Sequence, residues 1–211
     1  MSTVGDPAAG TSAGGPQTPL VLPPGTVIHM IAFAGHEEAC EFVDEMVKHV
    51  NRHGHGIAHP TIVTTGDQFI RASQAQVPVM LVSAHGPGSE TAEPVIGDGK
   101  GNRACLRSLG RTEPFVFGAR AGIVWDACYT GQPAFRSELA RLSAPGAAHV
   151  APVDKIWWPD SVYMATTIFD ALLAPGGPPI TPASFAAEAA NTAASSGIEL
   201  WHVPLTGDSA S

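Results

Sequence analysis

The chain has few basic residues, few cysteines and no long uninterrupted apolar run. It carries 11 lysines and arginines against 19 acidic residues, which gives a formal net charge of -8 over 211 residues. Without a basic cluster, the sequence favours neither nucleic acid nor an anionic membrane surface as a partner. Proline, glycine or a charge interrupts each apolar stretch before the roughly 18 to 20 residues that a spanning helix needs. We therefore predict a soluble globular protein with no membrane partner.

Cysteine usage and the N-terminal composition predict the compartment and the domain limits. The three cysteines are an odd number and lie far apart, which argues against a disulfide framework and for a reducing compartment. The opening MSTVGDPAAGTSAGGPQTPL lacks the basic start and apolar core of a signal peptide, so we expect a cytoplasmic protein. Its small residues, glycines and prolines predict a flexible tail over residues 1–24. One domain over residues 25–206 and a short C-terminal tail over 207–211 complete the prediction.

Strand-like and helix-like segments alternate along the domain. Apolar runs rich in β-branched residues predict strands in TVIHMIAFAG, HPTIVTTG, VPVMLVSAHG and GIVWDAC. Helical spacing of apolar residues predicts helices between them, including one capped by Asp67 and one capped by Asp160. Glycine-rich VIGDGKGN predicts a hairpin, and IELWHVPL predicts an edge strand through which two copies could pair as a homodimer. The fold class predicted is an α/β three-layer sandwich around a mainly parallel sheet of about six strands.

Two strand ends carry residues suited to nucleophilic catalysis. His85 and Gly86 follow one apolar run, and Cys128 follows another. Because ligands of such sheets bind beyond the carboxyl ends of the strands, we expect these residues to meet at one edge. His85 would take the thiol proton of Cys128, and the amides of Gly86 and Cys128 would form an oxyanion hole. The alternative is a buried structural cysteine beside a hydrogen-bonded histidine, since free cysteines are mostly core residues.

The two motifs together resemble a known family. SAHG, followed by DACYTG with Cys128 lying 43 positions after His85, resembles the caspase-like cysteine peptidases, which include caspases, metacaspases and bacterial CHAT domains. The resemblance implies a caspase-hemoglobinase fold, with His85 as the general base and Cys128 as the nucleophile. It implies an endopeptidase acting on a protein or peptide, in bacterial signalling or defence, under the control of a regulatory partner, self-cleavage or assembly. Tyr129 and Thr130 replace the histidine and serine usual in metacaspases, which puts calcium activation in doubt.

Asp126 is the residue expected to set the cleavage specificity. In the family, the residue two positions before the nucleophile lines the pocket for the side chain preceding the scissile bond. It is glutamine in caspases that cut after aspartate and aspartate in metacaspases that cut after arginine or lysine. Asp126 therefore implies cleavage after a basic residue, with which a carboxylate pairs. The alternative is that Asp126 caps the next helix or pairs internally.

The segment AAHVAPVDKIWW occupies the place where the family completes its specificity pocket. Asp154 is the candidate for a second pocket acid, and Trp157 or Trp158 for an apolar wall. Alternatively, Asp154 pairs with Lys155 or solvent, and the tryptophans belong to the core or to an interface.

Other motifs and other functions remain open at this point. His49, His53, His55 and His59 are numerous enough to suggest zinc, but no cysteine or carboxylate joins them at a familiar spacing. GDGKGN lacks the pattern of a phosphate-binding loop. We therefore predict no metal and no cofactor. The alternatives to a peptidase are a catalytically idle binding or scaffold module, and a different cysteine hydrolase on a flavodoxin-like sheet. In glutamine amidotransferases of that kind the histidine follows the cysteine, whereas here it precedes it.

Overall fold

The computed structural model describes residues 26–53, 56–89, 92–111, 113–144, 147–174 and 180–204. The predicted tails, and residues 25 and 205–206 at the predicted ends of the domain, lie outside the described residues. None of the helices in the described ranges has the length and apolarity that crossing a bilayer requires.

Strands and helices alternate along the described chain, as the sequence predicts. The strands are β1 (Thr26–Phe33), β2 (Gly56–Val63), β3 (Val77–Ser83), β4 (Val95–Gly97), β5 (Arg103–Cys105), β6 (Ala119–Asp126), β7 (Ala148–Pro152) and β8 (Leu200–Pro204). The helices are α1 (Glu37–His53), α2 (Gly66–Ser73), α3 (Pro133–Leu142), α4 (Trp158–Leu173) and α5 (Pro182–Ser196), with a short 3-10 helix at Leu106–Ser108.

One six-stranded sheet forms the centre of the described structure. Its strand order is β2-β1-β3-β6-β7-β8, and β8 is the only one of these six strands that runs antiparallel to its neighbour. This confirms the prediction of an α/β fold with a mainly parallel sheet of about six strands, and it places β8 at an edge. The register pairs Ser83 of β3 with Asp126 of β6, so these two strands end side by side.

Two apolar cores cover the two faces of the sheet. Alternate residues of β1 point to opposite cores: Ile28 and Met30 join one, and Ile31 and Phe33 join the other, as the period of two in a strand requires. The first core contains buried residues of α1, α4 and α5, and the second contains residues of α2, α3 and the β4–β5 hairpin. Helices therefore lie on both sides of the sheet, consistent with a three-layer sandwich.

The hairpin prediction is confirmed, but two predicted helix starts are wrong. β4 and β5 pair antiparallel across GDGKGN. The cap of α2 is Thr65, whose side chain accepts a hydrogen bond from the amide of Gln68 at 3.2 Å, so Asp67 lies in the first turn. Helix α4 begins at Trp158 and includes Asp160 in its first turn. A proline follows at position 159, where its fixed φ suits the first helical turn.

Candidate functional site

A cavity of about 330 Å³ lies beyond the carboxyl ends of β1, β3 and β6. It brings together His85, Cys128, Asp126 and Trp157, which are among the residues singled out from the sequence. The remaining lining residues come from the starts of α1 and α4 and from the strand ends: His36, Glu38, Ala84, Ala127, Lys155, Ile156, Trp158 and Ser161. Its position is the one at which parallel sheets bind ligands.

The β4–β5 hairpin holds His85 in place. The amide of His85 donates to the carbonyl oxygen of Gly97 at 2.8 Å, and the amide of Gly97 donates back to the carbonyl oxygen of His85 at 3.1 Å. Gly99 lies directly against the imidazole, because a Cβ added at Gly99 would be 2.5 Å from Cδ2 of His85. The excursion between the two sequence motifs thus packs against the candidate base.

A second histidine, which the sequence analysis missed, contacts His85. The ring centroids of His36 and His85 are 3.9 Å apart, with the ring planes at 70°. The amide of Ala39 donates to Nδ1 of His36 at 3.0 Å, so the neutral imidazole of His36 carries its proton on Nε2. Burial lowers the pKa of His36, and the neighbouring His85 lowers it further. The signal was present in the sequence, since His36 follows β1 as His85 follows β3.

The turn after β6 positions Cys128. Tyr129 adopts a left-handed backbone with φ of 59°, a conformation uncommon for a bulky residue. Its amide donates to the carbonyl oxygen of Asp154 at 3.1 Å, and Thr130 Oγ1 donates to the carbonyl oxygen of Ala127 at 2.8 Å. The thiol of Cys128 is half-buried and lies 3.8 Å from the carbonyl oxygen of Ile156. These bonds hold Cys128 among the residues that line the cavity.

The backbones of Gly86 and Cys128 are in close contact. A Cβ added at Gly86 would lie 1.9 Å from the carbonyl oxygen of Cys128 and 3.0 Å from its amide nitrogen, so only glycine fits here. Among the described residues, neither amide donates a hydrogen bond. An oxyanion hole made from these two amides, as expected from the sequence, would therefore not have to break a hydrogen bond among the described residues.

Asp126 is hydrogen-bonded within the protein and also lines the cavity. The hydroxyl of Ser83 donates to Oδ2 of Asp126, and the hydroxyl of Ser161 donates to Oδ1 at 2.5 Å. Burial raises the pKa of Asp126, and the two serine hydrogen bonds oppose that rise. Asp126 does not cap the next helix, because the N-cap of α3 is Gln132. Asp126 thus combines internal hydrogen bonds from its carboxyl group with a place among the residues that line the cavity.

The other residues predicted to line the specificity pocket do not all line the same cavity. Trp157 lines the cavity with 62% of its surface exposed, and Nζ of Lys155 lies 4.0 Å from a Trp157 ring centroid. Trp158 also lines the cavity but packs edge-on against the buried ring of Phe42. Asp154 lines a different cavity, with Tyr129 among its neighbours, so it is not brought together with Asp126 and Cys128.

The two histidines of the α1–β2 region whose side chains are described, His49 and His59, do not converge. Nε2 of His49 lies 2.6 Å from Oδ1 of Asp170 in α4, whereas His59 packs against His29 with ring centroids 5.4 Å apart. His55 and the side chain of His53 lie outside the described residues. Within the described ranges, no three or more histidine, cysteine or acidic side chains cluster in a way that would hold a metal ion.

No protein-family model matches this chain, and no curated protein matches it at a significant level. The geometry of the cavity is therefore the basis for a functional proposal.

Proposed function

We propose that this chain is a cysteine endopeptidase of the caspase-hemoglobinase fold that cleaves a protein or peptide after arginine or lysine. The observation that carries the proposal is the shared cavity of His85 and Cys128 at the ends of two neighbouring parallel strands. A buried structural cysteine would need neither a cavity nor an imidazole in that cavity, whereas a thiol nucleophile needs both.

The residues of the cavity, together with the adjacent Gly86, supply each step of acyl transfer. The thiol turns from the carbonyl oxygen of Ile156 and loses its proton to His85, and the thiolate attacks the substrate carbonyl carbon. The negative charge on the carbonyl oxygen is stabilised by the amides of Gly86 and Cys128. His85 then protonates the leaving amine, and the carbon–nitrogen bond breaks to leave a thioester on Cys128. Water, deprotonated by His85, hydrolyses the thioester and restores the thiol.

Asp126 is the group that favours a basic side chain. Asp126 is one of the residues that line the cavity, and Glu38 adds a second acid to the lining. Lys155 is the one lysine or arginine among the described residues that line the cavity, and its ammonium lies over Trp157. A substrate guanidinium or ammonium beside Asp126 would favour its ionised form and offset the effect of burial on its pKa. An acidic substrate side chain would meet two carboxyl groups and be disfavoured.

Active-site labelling and a peptide panel test this proposal. Peptidyl acyloxymethyl ketones with arginine, lysine, aspartate or leucine at the reactive position are incubated with the wild type, Cys128→Ala and Cys40→Ala. We expect the arginine and lysine probes to label Cys128, as located by peptide mass mapping. Cys40→Ala should label like the wild type, because Cys40 lies in α1 and its thiol donates to the carbonyl oxygen of Phe33 at 3.5 Å. Failure of every probe to label Cys128 would refute the assignment of Cys128 as the nucleophile. Preferential labelling by the aspartate probe would refute the proposal that Asp126 selects a basic side chain.

A further inference from the structure

A second cavity, also of about 330 Å³, shares His85 with the first. Its described lining residues lie at positions 85–88 and 92–93 after β3 and in the β4–β5 hairpin. Many of them are glycines: Gly86, Gly88, Gly97, Gly99 and Gly101. Cys128 and Asp126 line the first cavity, and neither lines the second. His85 is therefore the boundary between a cavity that holds the thiol and one that does not.

The chemistry proposed above decides which part of a substrate lies on each side of this boundary. The acyl carbon bonds to the sulfur of Cys128, so the residue before the scissile bond lies over the first cavity. The leaving nitrogen receives its proton from His85, so it must come within hydrogen-bond reach of the imidazole. The residue that follows the scissile bond is then carried past His85 towards the second cavity.

We propose that the second cavity binds the side chain after the scissile bond and prefers a bulky, uncharged one such as leucine or phenylalanine. This inference rests on the proposed function and adds a second specificity determinant to it. Glycines leave the space open, and Pro87 and Val95 give the lining apolar surface. The charged lining residues Glu93 and Arg103 are of opposite sign, so the cavity offers no net charge to favour an acidic or basic side chain.

Gly88 offers a direct steric test of the second cavity. It lines the cavity, and a Cβ added there would meet no heavy atom within 4 Å. Gly99 and Gly101, with φ of 71° and 125°, would instead be strained by any side chain. Gly88→Phe is therefore designed to fill the cavity, and Gly88→Ala is the matched control that leaves most of the space open.

The measurement uses internally quenched peptides with arginine before the scissile bond and glycine, leucine, phenylalanine or glutamate after it. In the wild type we expect kcat/KM for leucine and phenylalanine to exceed that for glycine by about 10- to 100-fold, the range for burying one large apolar side chain. Gly88→Phe should remove this ratio, and Gly88→Ala should retain the wild-type order. Equal rates across the wild-type series, or a ratio that survives in Gly88→Phe, would overturn the inference while leaving the peptidase proposal intact.

A binding measurement keeps the two proposals distinguishable if no peptide is cleaved. Cys128→Ala protein, labelled with ¹⁵N, is titrated with the leucine and glycine peptides and followed by amide NMR shifts. We expect the leucine peptide to shift the amides of Gly88 and Gly97 more strongly than the glycine peptide does. If the wild type cleaves nothing but these shifts occur, the peptidase proposal fails and the side-chain cavity stands. If these amides do not respond to either peptide, the cavity assignment is wrong.

Discussion

Acidification is expected to destabilise this protein through one fully buried histidine. His149 of β7 has none of its surface exposed. Trp125 of β6 donates its Nε1 hydrogen to Nδ1 of His149 at 3.0 Å, and Nε2 of His149 lies 2.6 Å from Oγ of Ser143. Because Nδ1 accepts, the neutral ring carries its proton on Nε2 and donates it to Ser143. Protonating Nδ1 would break the bond from Trp125 and place a charge in the core.

The magnitude follows from the two protonation equilibria. Burial lowers the pKa of His149 from 6.5 to about 3. Below pH 6.5 the unfolded chain binds a proton here that the folded protein does not bind, so the unfolded state is favoured as the pH falls. The contribution of the buried neutral His149 to the free energy of unfolding is thus fully present above pH 6.5, and it is lost as the pH falls towards 3. Between pH 7 and pH 5 the loss amounts to about 2 kcal/mol, at about 1.4 kcal/mol for each pH unit below 6.5.

Urea unfolding of the wild type and His149→Gln at a series of pH values checks this expectation. The variant retains polar groups but no group that titrates in this range, so subtracting its curve removes the effect of the other acids and histidines. We expect the wild-type free energy of unfolding, relative to the variant, to fall by about 2 kcal/mol from pH 7 to pH 5. A difference that is constant with pH would refute the reasoning. If the variant does not fold, imidazole NMR of the wild type decides, because a His149 ring protonated at pH 6 would also refute it.

Two further predictions concern the backbone and side-chain contacts of the candidate site. Gly86→Ala places a methyl group 1.9 Å from the carbonyl oxygen of Cys128. The two backbones must then move apart, and we expect kcat to fall by about 100-fold or more because the oxyanion donors separate. Wild-type kinetics in this variant would contradict the assignment of these two amides as the oxyanion donors. His36→Asn should keep a side-chain acceptor for the Ala39 amide and hence a melting temperature close to that of the wild type. The kcat of this variant should fall by about tenfold and its dependence on pH should shift, because His85 loses its contact with the ring of His36. An unchanged pH dependence of kcat would show that His36 only caps α1.

The order of elements could be predicted because buried parallel strands are nearly continuous apolar runs. The runs ending at Phe33, Ser83 and Asp126 are such strands, with buried residues along nearly their whole length. The start of α2 was harder to predict, because two nearby polar side chains can each serve as its cap. In TTGD both Thr65 and Asp67 are acceptable N-cap residues, and only the position of the Gln68 amide relative to Thr65 Oγ1 decides between them.

The positions of candidate-site residues could be predicted where the register of the sheet determines them. They could not be predicted where the course of a loop determines them. Strand β3 ends at Ser83 and strand β6 ends at Asp126, and these two residues are paired in the sheet. Residues that soon follow the two strand ends therefore line one cavity. No local pattern indicates that Ser161, 35 positions after Asp126, returns from α4 to donate to it. Asp154 lies in a loop whose backbone is held by the hydrogen bond from the Tyr129 amide to the Asp154 carbonyl oxygen. Asp154 lines another cavity. A motif at a strand end is thus positioned by its neighbour strand, whereas a loop residue is positioned by hydrogen bonds that arise elsewhere in the chain.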